Sequence, residues 1–362
     1  MNVIEYVLIV VAILFVFFVI STIIKASRRI PIIASIILVF VISIGILGSV
    51  YFNQTVDVAK NISDIVINKE LENKVKRIRK NIIIRPGAIE MLSLHLAYPD
   101  RISKPTIKNR EVGFFLDDIW FNWADGKILT DEERENVNNH INFEFYDYPL
   151  KGLPKVETAT PEKTKEIEEY YIKRISNRKT INNTFLNTLY DGSSERSMSK
   201  NIVTVSVLGY RVRLHRYIIE PLTNATAEIR LMAETNTEVS NYLKNLHTVS
   251  GFVWKNIKAS ASRSYHSYGV AFDTLPKKNR KAVYWAWTRV NNKNWYAVPH
   301  EERWYPPLEV IDIFEKYGFI WGGKWRNYDT IHFEYRPELL IYNRLMEDEN
   351  EAYSLIEEYG LY

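Results

Sequence analysis

Two uncharged apolar runs stand close together near the start of the chain: YVLIVVAILFVFFVISTII at residues 6–24 and IPIIASIILVFVISIGILGSVYF at 30–52. A helix that crosses the ~30 Å hydrocarbon core of a bilayer needs about 20 apolar residues, and each run supplies that length. A cleaved signal peptide would have an apolar region of only about 7–15 residues behind a basic start. The first run instead follows MNVIE, which has no Lys or Arg. A buried helical hairpin of a soluble protein is the alternative. Residues 1–53 are therefore expected to form two transmembrane helices in a lipid bilayer. Their short link, KASRR, carries Lys25, Arg28 and Arg29, and short basic loops stay in the cytoplasm. Both ends of the chain should then face outward. The basic stretch KVKRIRK at 74–80 lies beyond the window of about 15–20 residues in which that rule is strongest.

The rest of the chain reads as globular. Net charge is only +4, so bulk electrostatics gives no reason to expect a nucleic-acid partner. There is no cysteine, which removes disulfides, Cys-ligated zinc and a thiol nucleophile.

Residues 55–80 place Val58, Ile62, Ile65, Leu71, Val75 and Ile78 at roughly helical spacing and predict an amphipathic stalk. The aromatic stretch 112–130 predicts strands with a hairpin turn at Asp125-Gly126. The Pro- and Thr-rich segment 148–164 predicts a loop or linker, followed by a short helix in KEIEEYYIKRI. From residue 200 the pattern changes. IVTVSVL (202–208) predicts a strand by its β-branched content, and 221–247 predicts one long helix begun by Pro221. GFVWKNIKA predicts a strand, 279–290 a helix, and 306–318 a helix stopped by Gly318. GFIWGGKW and TIHFEY predict closing strands. Helices and strands mix without βαβ alternation, which points to α+β with a mostly antiparallel sheet flanked by helices. The division expected is 1–53 membrane helices, 54–199 a stalk and α/β extension of unassigned role, and 200–362 the domain that carries chemistry.

Of seven histidines, two keep suggestive company. In SYHSYGVAFDT, His266 precedes Asp273, with Gly269 between them to permit a bend. In WRNYDTIHFEY, His332 follows Asp329. Hydrolytic zinc takes three protein ligands and keeps one position for water, with His nitrogen and carboxylate oxygen as donors where Cys is absent. His266, Asp273 and His332 would supply that set. Asp329 would stay off the metal and move the proton between water and the leaving amine. Either half alone is a weak signal, because His near Asp is common by chance.

The two halves together resemble the signature of the M15 zinc peptidases, the D-alanyl-D-alanine carboxypeptidase and L-alanyl-D-glutamate endopeptidase group. SYHSYGVAFD fits S-x-H-x-x-G-x-A-x-D, and YDTIHFEY looks like its D/E-x-x-H half; the likeness covers about residues 200–345. The resemblance implies that Zn2+ is held by His266, Asp273 and His332, with Asp329 as general base and acid. Ser264 and Gly269 match as supporting positions. Family members also use an arginine on the strand before the first histidine, where this chain has Trp254-Lys255; Arg263 is the nearest candidate for that role. Trp321, Trp325 and Tyr328 could line a peptide groove, Gly322-Gly323 could let a substrate backbone approach or form a bulge, and Glu334 shares a strand face with His332 by period two.

The expectation is a zinc peptidase anchored in the bacterial inner membrane with its catalytic domain on the extracytoplasmic, periplasmic side. Its implied substrate class is peptidoglycan stem peptide. A catalytically silent wall-binding or scaffold module that keeps the zinc-site fold is the alternative, motivated by the missing arginine. Docking of a membrane protein partner through residues 54–199 is a further expectation. An Asp before x-x-H leans toward the L-alanyl-D-glutamate type.

Overall fold

The computed structural model describes residues 83–176, 180–257 and 262–362. The expected membrane spans at 6–24 and 30–52 and the stalk at 55–80 lie outside the described residues. Among the described residues, no helix is long and apolar enough to cross a membrane.

Residues 83–362 form one compact α+β unit. A first helix, α1 (Ala88–Ala97), leads into a meander of β1 (Thr106–Lys108), β2 (Glu111–Leu116), β3 (Ile119–Ala124) and β4 (Lys127–Leu129), ordered 1-2-3-4. The Asp125-Gly126 turn is present, with both residues at positive φ, as a tight hairpin whose twist matches its strands requires. After α2 (Pro161–Ser176), α3 (Thr184–Leu189) and α4 (Glu195–Ser199) comes the β5 (Ile202–Val207)–β6 (Tyr210–His215) hairpin. Then follow α5 (Ile219–Met232), α6 (Thr237–Asn245), β7 (Leu246–Ser250), β8 (Ala271–Pro276), α7 (Trp285–Asn291), α8 (Leu308–Lys316), β9 (Phe319–Trp321), β10 (His332–Tyr335), α9 (Pro337–Glu347) and α10 (Glu349–Tyr359). The sheet that matters for chemistry runs β7-β8-β10-β9, all neighbours antiparallel.

Several boundaries differ from expectation, each for a local reason. The long helix over 221–247 is two helices and the start of a strand. Asn236 turns to extended backbone, and its side chain accepts from the Glu238 and Val239 amides; this cap competes with helix continuation. The strand expected at GFVWKNIKA lies one element earlier, at β7. At Gly251 the chain leaves the sheet and packs on β6, where a Cβ would meet the Arg213 carbonyl oxygen at 2.5 Å. Helix α7 starts only at Trp285, because Ala282 and Tyr284 instead make bridges to Arg303 and Asp329. The strand GFIWGGKW stops at Trp321 and tightens into a 3₁₀ turn, Gly322–Lys324.

Residue 200 marks no break in packing. One apolar core joins Met91, Phe114, Phe121 and Phe185 from before it to Leu222, Phe272, Phe314 and Phe333 from after it. A strap at 144–149 runs under the end of the second sheet. The Tyr148 hydroxyl accepts from the Trp321 amide at 2.8 Å, the Tyr146 hydroxyl from the Trp325 indole at 2.7 Å, and Lys324 donates to the Pro149 carbonyl at 2.8 Å.

Candidate metal centre

Register builds the centre. On β8 and β10, His332 stands directly opposite Asp273, and Phe333 opposite Phe272. Because strand side chains alternate, His332 and Asp273 share one face while the two phenylalanines stack on the other, centroids 5.4 Å apart, in the core. His266 arrives from the 3₁₀ turn Tyr265–Tyr268 that precedes β8. Ser264 caps that turn, and Gly269 closes it at φ 68°. A Cβ on Gly269 would also lie 2.4 Å from Ile202 Cδ1 and 2.9 Å from the His215 amide nitrogen, so both conformation and space demand glycine there.

Three donor atoms converge. His332 Nδ1 lies 2.9 Å from Asp273 Oδ1, His266 Nε2 lies 3.2 Å from the same oxygen, and the two ring nitrogens are 3.2 Å apart. His266, Asp273 and His332 each offer one ligand atom within 4.8 Å of the others. Each imidazole is oriented through its far nitrogen: His266 Nδ1 faces the Gly251 carbonyl at 2.8 Å, and His332 Nε2 faces Glu334 Oε2 at 3.1 Å. With protons on those far nitrogens, the converging nitrogens carry free lone pairs, the arrangement a metal-ligating histidine needs. Two imidazoles, one carboxylate and held tautomers fit a divalent ion such as zinc.

The electrostatics fit as well. Burial pushes Asp273 upward, but hydrogen bonds and charge from His266 and His332 outweigh it and hold the carboxyl well below its usual range. Burial pushes His332 downward, yet its bonds to Asp273 and Glu334 carry it up to about 10. In the metal-free protein a proton on His332 thus stands where a cation would sit.

Asp329 is set beside the triad. Its backbone is pinned by its amide's bond to the Gly322 carbonyl at 2.9 Å and by an antiparallel bridge to Tyr284. Its Oδ1 is buried and has no protein partner. Burial first, opposed by His332 and aided by Asp273, raises its carboxyl to about 7. Such a group can both take and return a proton near neutral pH.

The other expected residues divide. Glu334 is buried and bridges His332 to Arg336, whose Nη1 lies 3.5 Å from Glu334 Oε1. Arg263 holds Asn187 Oδ1, the Ser193 carbonyl and the Tyr268 hydroxyl and stacks 4.5 Å over Trp254; none of these bonds reaches the triad or Asp329. Trp321 and Tyr328 are core residues rather than groove lining, with the indole donating to the Thr330 carbonyl and the phenol to Thr288 Oγ1. Trp325 does border the site, its ring 5.5 Å from that of His332. Gly322 and Gly323 serve close packing: a Cβ would meet the Asp329 carbonyl oxygen at 2.7 Å and the Trp321 ring at 2.0 Å, respectively.

Two neighbours were not among the expected site residues, although Lys255 stands where the resemblance implies an arginine. Lys255 is exposed, and its positive charge acts on Asp329. Its backbone is tied to the turn bearing His266 through Ser267 Oγ, at 2.8 Å from its amide and 2.7 Å from its carbonyl. Tyr284 faces Asp329 and Asp273, whose charges, after burial, raise its phenol.

Comparison with known proteins agrees with this geometry. Residues 258–335 match the M15 peptidase family model described as D-alanyl-D-alanine carboxypeptidase. His266, Asp273 and His332 all lie within the matched residues. The peptidoglycan L-alanyl-D-glutamate endopeptidase CwlK of Bacillus subtilis (strain 168) is 34% identical over 80 residues, which are 22% of this chain and 43% of that protein. The chain thus spans less than half the length of this curated relative. No solved structure matches the chain.

Proposed function

We propose that the chain is a zinc-dependent peptidase that hydrolyses peptide bonds of peptidoglycan stem peptides, and that the bond is of the L-alanyl-D-glutamate type. The observation that carries the reading is the convergence of His266, Asp273 and His332 beside the partnerless buried Oδ1 of Asp329. The M15 segment and the activity of the Bacillus relative support the substrate class.

A divalent ion held by the triad supplies Lewis-acid polarisation of the scissile carbonyl and lowers the pKa of water at its open position. The chain's own residues do the rest. Asp329 accepts a proton from the attacking water as the C–O bond forms. It then delivers that proton to the amide nitrogen as the C–N bond breaks, so no net proton is consumed in the step. Glu334 and the Gly251 carbonyl keep the imidazoles in the required tautomers. Lys255 offers a cation at the site's rim, in the place where the M15 resemblance implies an arginine, and can meet substrate oxygen there.

The apolar runs at 6–24 and 30–52 support a further part of the reading: anchorage in the bacterial inner membrane with the peptidase unit on the wall side. The test is direct. Full-length chain in detergent, loaded with zinc, should release products from muropeptides that mass spectrometry assigns to cleavage after L-alanine, and chelator should stop it. Absence of any cleavage by the zinc-loaded chain overturns the enzyme reading in favour of a wall-binding module; loss of a terminal D-alanine instead overturns only the choice of bond.

A further inference from the structure

We propose that Tyr284 and Trp287 form an aromatic platform that holds the saccharide end of a glycan-linked stem peptide beside the catalytic centre. The inference rests on the peptidase reading above and extends it from the peptide to the sugar.

Trp287 is the anomaly. Its side chain is 59% exposed on α7, although burying an indole is among the larger apolar gains open to a chain. Two positions earlier, Trp285 is buried and stacks on Tyr171, centroids 4.9 Å apart, within a separate aromatic core that includes Trp295 and Tyr328. The helix is therefore held firmly by one tryptophan while it offers the other to solvent. Trp287 is also fixed locally: its amide donates to the Tyr284 carbonyl at 3.1 Å, and its ring meets that of Tyr284 at 5.6 Å and 89°. A large, rigid, exposed aromatic surface of this kind costs little entropy when it binds.

The platform is continuous with the site. Tyr284 is the direct bridge partner of Asp329, and residues directly opposite in an antiparallel pair put their side chains on one face with Cβ atoms ~5 Å apart. Tyr284 in turn meets the indole ring at 5.6 Å, and its phenol feels the charges of Asp329 and Asp273, so the pair of rings adjoins the site. One residue of extended peptide spans at most ~3.5 Å. With cleavage after L-alanine, only that residue and a short acyl link separate the scissile bond from the first sugar ring.

Chemistry selects the occupant. The side chains flanking an L-alanyl-D-glutamate bond are a methyl and a carboxylate, which offer an indole little to cover. A pyranose presents a flat face of C–H groups whose partial positive charge matches the negative face of an aromatic ring.

The experiment uses the full-length, zinc-loaded chain and two probes: N-acetylmuramoyl-pentapeptide and the same pentapeptide N-acetylated without the sugar. In Trp287→Ala the ratio of kcat/KM for the sugar-linked over the sugar-free peptide should fall about tenfold, and Trp287→Phe should restore most of it. An unchanged ratio with both kcat/KM values at the native level overturns the platform and leaves the peptidase reading intact. An equal loss on both probes overturns the saccharide assignment, because the ring would then hold peptide. Binding to the Asp329→Ala background, measured by calorimetry, gives a readout independent of turnover. There the added Trp287→Ala change should weaken only the sugar-linked probe, about tenfold. Should the native chain cleave neither probe, the peptidase reading fails, while the calorimetry still decides the platform.

Discussion

Replacing Glu334 with glutamine tests whether the centre depends on the carboxylate behind His332. Glu334 Oε2 lies 3.1 Å from His332 Nε2, and its other oxygen faces Arg336 Nη1 at 3.5 Å. Glutamine keeps the shape but has one oxygen and one amide group. If the oxygen stays on His332, the NH₂ turns toward the guanidinium, and two donors face each other. If the amide flips, it can be satisfied only by a His332 proton on Nδ1, the nitrogen that should ligate. Either orientation penalises the metal-binding tautomer. Loss of such an outer partner typically costs 10–100-fold in metal affinity, about 1.4–2.8 kcal/mol, and the donor clash places Glu334→Gln toward the larger value. The control is Glu338→Gln. Glu338 holds Arg336 Nε and accepts from the Tyr98 hydroxyl at 2.9 Å without an observed contact to His332. It should lower thermal stability and leave zinc affinity within about threefold, a shift too small to reflect a lost metal-tuning partner. Competition against a chromophoric chelator measures both variants. Native affinity in Glu334→Gln would refute the tautomer argument, and equal losses in the two variants would assign the effect to the fold of the buried network.

Asp329→Asn should cut turnover by about 10²–10⁴, the usual worth of a positioned acid–base, while bound zinc, measured by atomic absorption, stays at one ion per chain; substantial remaining turnover would remove Asp329 from the mechanism. Gly269→Ala should destabilise the protein by roughly 1–3 kcal/mol from backbone strain at positive φ, with crowding against Ile202 in addition; an unshifted melting temperature refutes this. His332, raised to about 10, stabilises the metal-free fold fully below its ordinary value of 6.5, and that contribution is lost as pH rises through 10. Zinc must displace its proton, so affinity should tighten by roughly tenfold per pH unit between 6.5 and 8, the linkage for one proton; calorimetry in buffers of differing ionisation enthalpy counts the proton released. Lys255 pulls the Asp329 carboxyl down, so Lys255→Ala should move the acid limb of kcat/KM to higher pH, and an unmoved limb would show that the two charges do not communicate in the loaded enzyme.

Much of the candidate site was legible because its three converging donors sit in two short motifs. His266 and Asp273 flank a turn that glycine makes possible, and His332 follows Asp329 closely enough for one strand end to carry both. The alternation of TIHFEY put Glu334 on the face of His332, but the register that sets His332 opposite Asp273 is a property of two strands together and was not legible in either alone. Tyr284 was not legible, since its link to Asp329 is a single bridge between segments with no shared local pattern. Nor was the fate of Trp321 and Tyr328: an aromatic reads the same in sequence whether a groove or a core receives it, and here core packing and hydrogen bonds to Thr330 and Thr288 decide. The break at Asn236 illustrates competition. Helical periodicity continues across it, but a side chain that caps the next helix outweighs propensity.

The stretch 83–199 explains why the metal-binding half-motifs do not stand alone in this chain. The end strand β9 is only three residues long, and the turn after it carries two glycines, a combination with little intrinsic rigidity. Rigidity is imported instead. Tyr148 accepts from the Trp321 amide and donates to Glu315, Lys324 reaches Pro149 and Glu315, and Tyr146 fixes the Trp325 indole against His332. Arg336, fully buried, reaches the Glu144 carbonyl at 2.7 Å, so the strap also anchors the charge chain that ends on His332 through Glu334. A metal site tolerates little misplacement of its ligands. The strap is thus part of the scaffold of the candidate metal centre, and shortening the chain to the segment that matches the M15 family model would remove the groups that hold Trp325, Arg336 and, through Glu334, the His332 ring in place.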